Sequence, residues 1–234
     1  MNIAGLQKMT LLDFPGKVAC TVFLDGCNFR CPFCHNSPLL GSAPPEMTDE
    51  ALLAFLEKRK GLLDGVCITG GEPTLSPELP ELLRRIRALG YPVKLDTNGS
   101  RPEVLKALVR EGLVQYVAMD IKNSPARYAR TVGLKTLNLE PLEQSIRFLL
   151  SDAVDYELRT TVALPLHDAD AIRDMGVWLE SLGGKPKRFY LQNYVNRESV
   201  LAPAGLSPAE KHALQEMLAA AAPYVQQAAI RGES

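Results

Sequence analysis

The chain has 234 residues, of which 46% are hydrophobic and 23% are charged, with a formal net charge of −1. This balance is ordinary for a globular protein and gives no sequence-independent attraction to nucleic acid. The longest apolar run, 217–225, is shorter than the ~20 residues of a membrane span, and the first residues lack a leader pattern. We therefore expect a cytoplasmic protein that binds neither nucleic acid nor membrane.

Short β-rich segments alternate with amphipathic segments along the chain. Strands are expected at 17–24, 65–69, 92–97, 114–120, 156–164 and 188–194. Helical patterns fall near 48–60, 77–89, 102–112, 141–151, 168–182 and 207–222. Strict alternation of this kind predicts βαβ units and a parallel sheet.

The number of these units limits the architecture. Six units are too few for a complete eight-unit barrel. The sequence therefore predicts an α/β fold, a partial or split (β/α)6 TIM-like barrel. Because no repeat or linker divides the chain, we expect a single domain over residues 1–234.

Polar residues cluster where the predicted strands end, and the carboxyl ends of such strands form the mouth of the site in barrels and open sheets. The first strand leads into a loop, 25–41, that contains Cys27, Cys31 and Cys34. The later strand ends supply Gly70, Gly71, Glu72, Pro73, Asp96, Thr97, Asn98, Asp120, Lys122, Arg159, Gln192 and Asn193.

Three of the five cysteines lie close together in the sequence. In a reducing cytoplasm such a cluster is more typical of a metal site than of a disulfide framework. One interpretation is structural zinc with His35 as the fourth ligand. Zinc ligands are usually two to five residues apart, however, and the side chains of the adjacent Cys34 and His35 diverge. The other interpretation is an iron–sulfur cube with three irons on cysteine and one iron open.

The loop resembles the signature of the radical S-adenosylmethionine enzymes, C-x3-C-x2-C with an aromatic residue, here Phe33, before the last cysteine. The segment 70–73 resembles the GGEP motif of that family. The segments 96–99 and 120–122 resemble motifs of glycyl-radical activating enzymes. Residues 5–24 resemble activating components of anaerobic ribonucleoside-triphosphate reductase.

This resemblance implies a [4Fe–4S] cluster whose open iron binds S-adenosyl-L-methionine, and reductive cleavage of that cosubstrate to a 5′-deoxyadenosyl radical. It implies metal binding by Cys27, Cys31 and Cys34. Cosubstrate contacts are then expected from Phe33, His35, Gly70, Gly71, Glu72, Pro73, Asp96, Thr97, Asn98, Asp120, Lys122, Arg159 and Gln192. Among these, Glu72 would accept from the ammonium group, and the two glycines would let backbone approach the methionine moiety.

Several of these residues have a structural alternative. Asp120 and Lys122 could form a surface ion pair, and Arg159, expected to point alone into the lumen, could be paired with an acid. His167 and His212 are expected at the surface, and Cys20 and Cys67 are expected as core thiols. Pyruvate formate-lyase activating enzymes have a histidine after the last strand, which this chain lacks.

We expect from the resemblance that the radical abstracts hydrogen from a glycine of a partner enzyme, an anaerobic ribonucleotide reductase. A flavodoxin- or ferredoxin-type protein would donate the electron. One alternative is a radical enzyme acting on a small molecule, as in deazapurine biosynthesis. The other is a non-catalytic iron–sulfur sensor or metal-binding module.

Overall fold

The computed structural model describes residues 1–41 and 45–232. One eight-stranded sheet has its strands in chain order, β1 to β8. The strands are Ile3–Thr10 (β1), Ala19–Leu24 (β2), Gly65–Gly70 (β3), Val93–Thr97 (β4), Tyr116–Asp120 (β5), Asp155–Val162 (β6), Arg188–Asn193 (β7) and Gln227–Arg231 (β8).

Helices connect the strands, so the fold is the predicted α/β partial barrel. They are Asp49–Lys58 (α1), Leu79–Ala88 (α2), Pro102–Arg110 (α3), Pro125–Thr131 (α4), Glu140–Leu150 (α5), Ala169–Ser181 (α6) and Lys211–Ala221 (α7). Short 3-10 helices cover Ser37–Leu40, Pro73–Leu75 and Ala222–Tyr224. Among residues 1–41 and 45–232, every helix falls short of the length and apolarity that crossing a membrane requires.

The predicted parallel pairing is confirmed for β2–β3, β3–β4 and β6–β7, and an unpredicted first strand adds an antiparallel pair. The six predicted strands correspond to β2–β7, and β1 and β8 were not predicted. β1 pairs antiparallel with β2, whereas β2–β3, β3–β4, β6–β7 and β7–β8 are parallel pairs. β1 exposes a polar segment at the sheet edge, and β8 contains two alanines, so neither has the strong β pattern of a central strand.

The chain divides into two compact units. The first unit comprises Met1–Asn28 and Pro38–Ala118, and the second comprises Phe29–Ser37 and Met119–Ser234. In the first unit, residues 65–68 of β3 are all buried, as expected for a parallel strand covered on both faces. The prediction of a single domain over 1–234 stays a prediction.

In the second unit, β8 is held by a buried ion pair. Arg231 donates two hydrogen bonds to Glu157, at 2.9 and 2.7 Å, and its guanidinium lies 4.4 Å from the ring centroid of Tyr190. Glu157 and Arg159 are two residues apart on β6 and therefore share a face of the strand. The prediction that Arg159 points alone into the lumen was therefore wrong.

The helix predicted from residue 207 begins later, at Lys211. Ser207 forms a bridge with Leu164 instead, with N–H···O distances of 2.9 and 3.1 Å. Asn193 then holds Ala209 by two hydrogen bonds, of 2.8 and 3.0 Å, between its amide group and the backbone. These contacts keep residues 207–209 extended, so the Ser-Pro start signal is not used.

Candidate active site

All five cysteines lie outside disulfide bonds, and Cys20 and Cys67 are fully buried. Burial raises the pKa of the Cys20 thiol to about 12, which suits the predicted core role. Among the described residues, no group of three or more His, Cys, Asp or Glu side chains could hold one metal ion. An iron–sulfur cube is bound differently, because each cysteine thiolate ligates a separate iron.

In the first unit, two glycines let the backbone of the 70–73 segment approach the chain after β2. A Cβ atom on Gly70, whose φ is +125°, would lie 2.1 Å from the Leu24 carbonyl oxygen. One on Gly71 would lie 2.1 Å from the Gly26 carbonyl oxygen. The N–H of Gly71 donates to Leu24 at 2.8 Å, and that of Glu72 donates to Gly26 at 2.7 Å. The glycines are thus required by the chain's own backbone.

Glu72 is buried and accepts only neutral donors among the described residues. Its Oε1 accepts from Thr74 N at 3.0 Å, from Thr97 Oγ1 at 2.8 Å and from Thr74 Oγ1. Its Oε2 accepts from Asn98 N at 2.6 Å. Burial raises the pKa of Glu72, against the effect of these donors. Glu72 also caps the 3-10 helix that begins at Pro73, and its contact with an ammonium group stays a prediction.

The same network reaches the cysteine loop. Asn98 Nδ2 donates to Asn28 Oδ1 at 2.9 Å, and Asn28 Nδ2 donates to Ser100 Oγ at 3.0 Å. The backbone N–H of Ser100 returns to Asn98 Oδ1 at 2.9 Å. Because Asn28 follows Cys27 directly, these bonds hold the first cysteine beside the 70–73 and 96–99 segments.

Asp96 is paired with a lysine that the sequence analysis missed. Lys94 is almost fully buried and donates to the Asp96 carboxylate. Cys67 is in register with Lys94 on the neighbouring strand, and its sulfur lies 3.7 Å from Asp96 Oδ1 and 3.9 Å from the ammonium nitrogen of Lys94. Cys67 is buried as predicted, but it contacts polar groups.

In the second unit, the backbone of the cysteine loop is held on two sides. Arg30 N donates to the Val132 carbonyl at 2.8 Å, after helix α4. Gly133, at φ +71°, follows so closely that a Cβ atom there would lie 2.3 Å from the Arg30 carbonyl oxygen. On the other side, the carbonyls of Pro32 and Cys34 accept from Ala202 and Leu201, at 3.0 and 3.1 Å.

Two rings of the loop contact the rest of the second unit. His35 donates from Nε2 to the Val195 carbonyl at 2.6 Å and stacks on Tyr194, with ring centroids 5.7 Å apart. Phe33 is buried and packs edge-on against His167 at 6.1 Å. These contacts support the segment around the last cysteine, and the cosubstrate contacts of Phe33 and His35 stay predictions.

His167 was predicted at the surface and is instead buried. Its Nε2–H donates to the Lys122 carbonyl at 2.8 Å, and its Nδ1 accepts from Ala163 N at 3.2 Å. Burial lowers the pKa of His167. The prediction failed because a lone histidine after an apolar strand gives no sequence signal for a buried neutral ring. His212 is largely exposed, as predicted.

Asp120 is the centre of a charged cluster at the end of β5. Arg159 Nε donates to its Oδ1 at 2.6 Å, and Lys122 Nζ donates to its Oδ2 at 2.9 Å. Burial alone would raise the pKa of Asp120, but the two cations outweigh it and hold that pKa well below its usual range. The side chains are 14–25% exposed, so this is neither a surface pair nor a sealed one. The alternative that Arg159 is paired with an acid is confirmed.

Gln192 lies on β7, half-buried, in register with Thr161 and Arg231. Asn193 uses both ends of its amide to hold the backbone of Ala209. The Gln192 contact with the cosubstrate stays a prediction. No pattern in the sequence distinguished these two neighbouring amides.

An open α/β sheet whose first parallel strand leads into a loop with three cysteines is the arrangement expected of an iron–sulfur enzyme. The donor set fits the cluster, because soft thiolates are its usual ligands and both ends of the loop are held by hydrogen bonds. The chain belongs to the radical SAM superfamily, whose sequence model matches residues 21–176. It is therefore an oxidoreductase that uses a [4Fe–4S] cluster and S-adenosylmethionine.

Several characterised or named proteins are similar to this chain. A putative glycyl-radical enzyme activating enzyme from Methanocaldococcus jannaschii is 32% identical over 177 residues, 74% of this chain and 73% of that protein. A 7-carboxy-7-deazaguanine synthase from Koribacter versatilis is 32% identical over 148 residues, 62% of each chain. A pyruvate formate-lyase-activating enzyme from Clostridium pasteurianum is 34% identical over 132 residues, 52% of each chain.

A crystal structure of Streptococcus suis SuiB bound to S-adenosylmethionine has the same fold. Its TM-score is 0.67 at 13% identity, over 91% of this chain and 52% of that chain. At this identity the likeness concerns the fold alone, and it agrees with the partial barrel described above.

Proposed function

We propose that this protein is a glycyl-radical activating enzyme, and that its partner is an anaerobic ribonucleoside-triphosphate reductase. The observation that carries the first part is the similarity to the M. jannaschii activating enzyme over about three quarters of both chains. The choice of reductase rests on the resemblance of residues 5–24 to activating components of that enzyme.

Cys27, Cys31 and Cys34 would hold three irons of the cluster and leave one iron open to S-adenosylmethionine. When bound, the cluster supplies the electron that cleaves this cosubstrate to methionine and a 5′-deoxyadenosyl radical, which takes a hydrogen atom from the partner's glycine. Lys122 and Arg159 provide two cations beside Asp120, partly exposed, and either could bind a carboxylate group.

The first unit would position the cosubstrate by shape. Glu72 keeps the 70–73 and 96–99 segments together through its four hydrogen bonds, so the backbone groups of both segments have fixed positions. A preorganised backbone reduces the ordering cost of binding. We assign the protein to the cytoplasm, because five cysteines outside disulfide bonds suit a reducing compartment, and we assign a flavodoxin or ferredoxin as electron donor.

Transfer of a label tests the proposal. The reduced protein is mixed with the reductase carrying deuterium at its radical-forming glycine, and the partner should develop a carbon-centred doublet in electron paramagnetic resonance. One 5′-deoxyadenosine should form per radical, and it should carry the deuterium. Cys31→Ser should give neither product, whereas the matched variant Cys20→Ser should give both.

The similarity to 7-carboxy-7-deazaguanine synthase supports a second candidate, a radical reaction on a small molecule. The same assay separates the two candidates. If no glycyl-radical partner transfers its label while a small molecule is consumed with S-adenosylmethionine, the second candidate replaces the first. If S-adenosylmethionine is never cleaved by the iron-loaded, reduced protein, both enzymatic proposals are wrong and a sensor role remains.

A further inference from the structure

A buried lysine in the first unit has no role in the proposed reaction. Lys94 lies on β4 with 1% of its side chain exposed, and it forms an ion pair with Asp96 on the same strand. Lysine is almost never buried to this degree unless it is paired. A buried ion pair adds little net stability, because removing two charges from water costs about as much as their attraction returns. Stability alone therefore does not explain a lysine at this position.

The sulfur of Cys67 is a close neighbour of this amine. Cys67 and Lys94 are in register on the parallel strands β3 and β4. Their side chains leave the sheet on the same face, and Lys94 Nζ lies 3.9 Å from Cys67 Sγ. Because Cys67 is fully buried, packing holds both atoms in place. The strand register thus brings a thiol and an amine together in the core.

Asp96 contacts both of these groups with one oxygen atom. Its Oδ1 accepts from Lys94 Nζ and lies 3.7 Å from Cys67 Sγ. It can therefore accept a proton from the ammonium group or from the thiol. The Asp96 side chain is 12% exposed, so the buried pair lies only a short distance from solvent. A small uncharged molecule can reach it from there.

We propose that Cys67 and Lys94 form an oxygen-dependent modification site, at which one oxygen atom joins the Cys67 sulfur to the Lys94 nitrogen. The oxidant is molecular oxygen. The S–O and O–N bonds form, while the O–O bond, the S–H bond and one N–H bond of the neutral amine break. The second oxygen atom leaves as water with the two hydrogen atoms, and the ammonium proton passes to Asp96. Sulfur and nitrogen each lose two electrons, and the two oxygen atoms take up these four.

The bridge changes the surroundings of Asp96 in two ways. A nitrogen bonded to oxygen is a weak base, so Lys94 loses the charge that is paired with Asp96. The cross-link also joins β3 to β4 just before the 70–73 and 96–99 segments. The chemistry involves only these three side chains and oxygen, so it does not depend on the iron–sulfur cluster or on the proposed function.

Air exposure of the full, iron-free chain tests the inference. Samples kept in air or under argon are unfolded in urea, alkylated at cysteine and digested with trypsin. In air, the peptides containing Cys67 and Lys94 should be joined, with the added mass of one oxygen atom less two hydrogen atoms. Alkylation of Cys67 should fall several-fold. Under argon, Cys67 should be fully alkylated and the chain cleaved after Lys94.

Cys20 is the matched control within the same chain. It is as buried as Cys67 but is in register with Val66, so it should be alkylated equally in both samples. Lys94→Met removes the amine and keeps a long side chain. In this variant Cys67 should gain only whole oxygen atoms, as a sulfenic or sulfinic acid, and no joined peptides should form.

Three results would overturn the inference. In the first, air leaves Cys67 of the native chain as fully alkylated as Cys20. In the second, Cys67 gains whole oxygen atoms while trypsin still cleaves after Lys94. In the third, Cys67 is joined to another cysteine instead. If Lys94→Met does not fold, the native chain alone decides among these results.

Discussion

Backbone hydrogen bonds hold both ends of the cysteine loop, but the carboxylates of the two units have different partners. In the first unit, Cys27 follows β2 and is supported by a side-chain network centred on Glu72, a buried carboxylate with four neutral donors. In the second unit, the segment around Cys31 and Cys34 is held by backbone hydrogen bonds on two sides. The carboxylate of that unit, Asp120, binds cations and stays partly exposed.

The carboxylates of Glu72 and Asp120 therefore differ in role: we interpret the first as stabilising the fold and the second as holding accessible cations. Each oxygen of Glu72 is surrounded by groups that cannot move without breaking the fold, so its main role is to connect two loops. Asp120 holds Lys122 and Arg159 by contacts that water can reach, as the part-exposed side chains show. A buried polar network specifies one conformation, whereas a part-exposed ion pair adds little stability and leaves charge available.

Removing one thiol from each end gives the largest expected effect. Cys27→Ser and Cys31→Ser should each abolish iron binding, the brown chromophore and cleavage of S-adenosylmethionine, because oxygen replaces a soft thiolate. Iron analysis and the visible spectrum check this result. If either variant keeps its iron, the cysteine at that end of the loop is not a cluster ligand, and the two ends cannot be compared as two supports of one cluster.

The two buried cysteines provide the control. Cys20→Ser and Cys67→Ser should keep about four irons per chain and the cleavage reaction, as expected for one complete cluster. Cys20→Ser should lose roughly 1–3 kcal/mol of unfolding free energy, because a hydroxyl enters an apolar core, and Cys67→Ser should lose less, because Asp96 lies beside it. A folded Cys67→Ser protein without iron would instead show that the Cys67–Lys94–Asp96 group belongs to the cluster site.

The second prediction compares the two carboxylates directly. Glu72→Ala leaves the N–H groups of Thr74 and Asn98 buried without an acceptor, so the iron-free protein should lose about 4 kcal/mol of unfolding free energy. Asp120→Ala leaves Arg159 and Lys122 partly hydrated, so its loss should be nearer to about 1 kcal/mol. Urea unfolding measures both.

Cosubstrate binding should depend more on a cation held by Asp120 than on the charge of Glu72. Cosubstrate affinity, measured by equilibrium dialysis on iron-loaded protein, should fall more for Lys122→Ala than for Glu72→Gln. If Asp120→Ala is as destabilising as Glu72→Ala, the two carboxylates do not differ in their contribution to the stability of the fold.

The third prediction concerns the backbone support of the second unit. Gly133→Ala introduces a Cβ atom 2.3 Å from the Arg30 carbonyl, at a φ of +71°. Gly112→Ala has nearly the same φ, +68°, and nothing within 4 Å of its Cβ atom. The control should therefore lose about 1 kcal/mol from backbone strain alone, and Gly133→Ala about 3 kcal/mol.

Iron retention sharpens the same comparison. Gly133→Ala should also lower the iron content, because the Arg30 backbone has to move and Cys31 moves with it. Equal stability and equal iron in the two glycine variants would show that the contact between residues 30 and 133 does not support the loop.

The sequence predicted the central strands and the cysteine loop well, because both have strong local signals. β2–β7 are short, apolar and bounded by turn residues, and the spacing of Cys27, Cys31 and Cys34 is specific. β1 and β8 were missed, since an edge strand with polar residues and an alanine-rich strand have no clear period. Helix α4 was missed because it has only seven residues.

The sequence predicted where the residues of the candidate site lie, but it did not predict which groups they contact. Glu72, Asp96 and Asp120 lie at strand ends as expected, yet Glu72 and Asp120 are bound by groups distant in sequence, and Asp96 is bound by a lysine that was not considered. Lys94 could have been recognised, because it shares a strand face with Asp96 at a spacing of two residues. The pairing of Glu157 with Arg231 spans 74 residues and has no local signal.

The smallest expected effect concerns the pH dependence of stability, through the His167 ring that packs against Phe33. His167 is buried between the Lys122 carbonyl and Ala163 N, and the charges of Asp168 and Arg127 act on it in opposite directions. Its folded pKa is lowered by burial, below the ordinary value near 6.5. As pH falls below about 6.5, the unfolded chain binds a proton that the folded ring does not accept, so stability decreases on acidification.

The loss should be about 1 kcal/mol per unit of pKa lowering, seen as a falling urea midpoint between pH 7 and pH 5. His167→Gln should flatten this part of the curve, whereas His212→Gln, at an exposed position, should leave it unchanged. An unaltered slope in His167→Gln would show that the second unit does not depend on a neutral ring at this position.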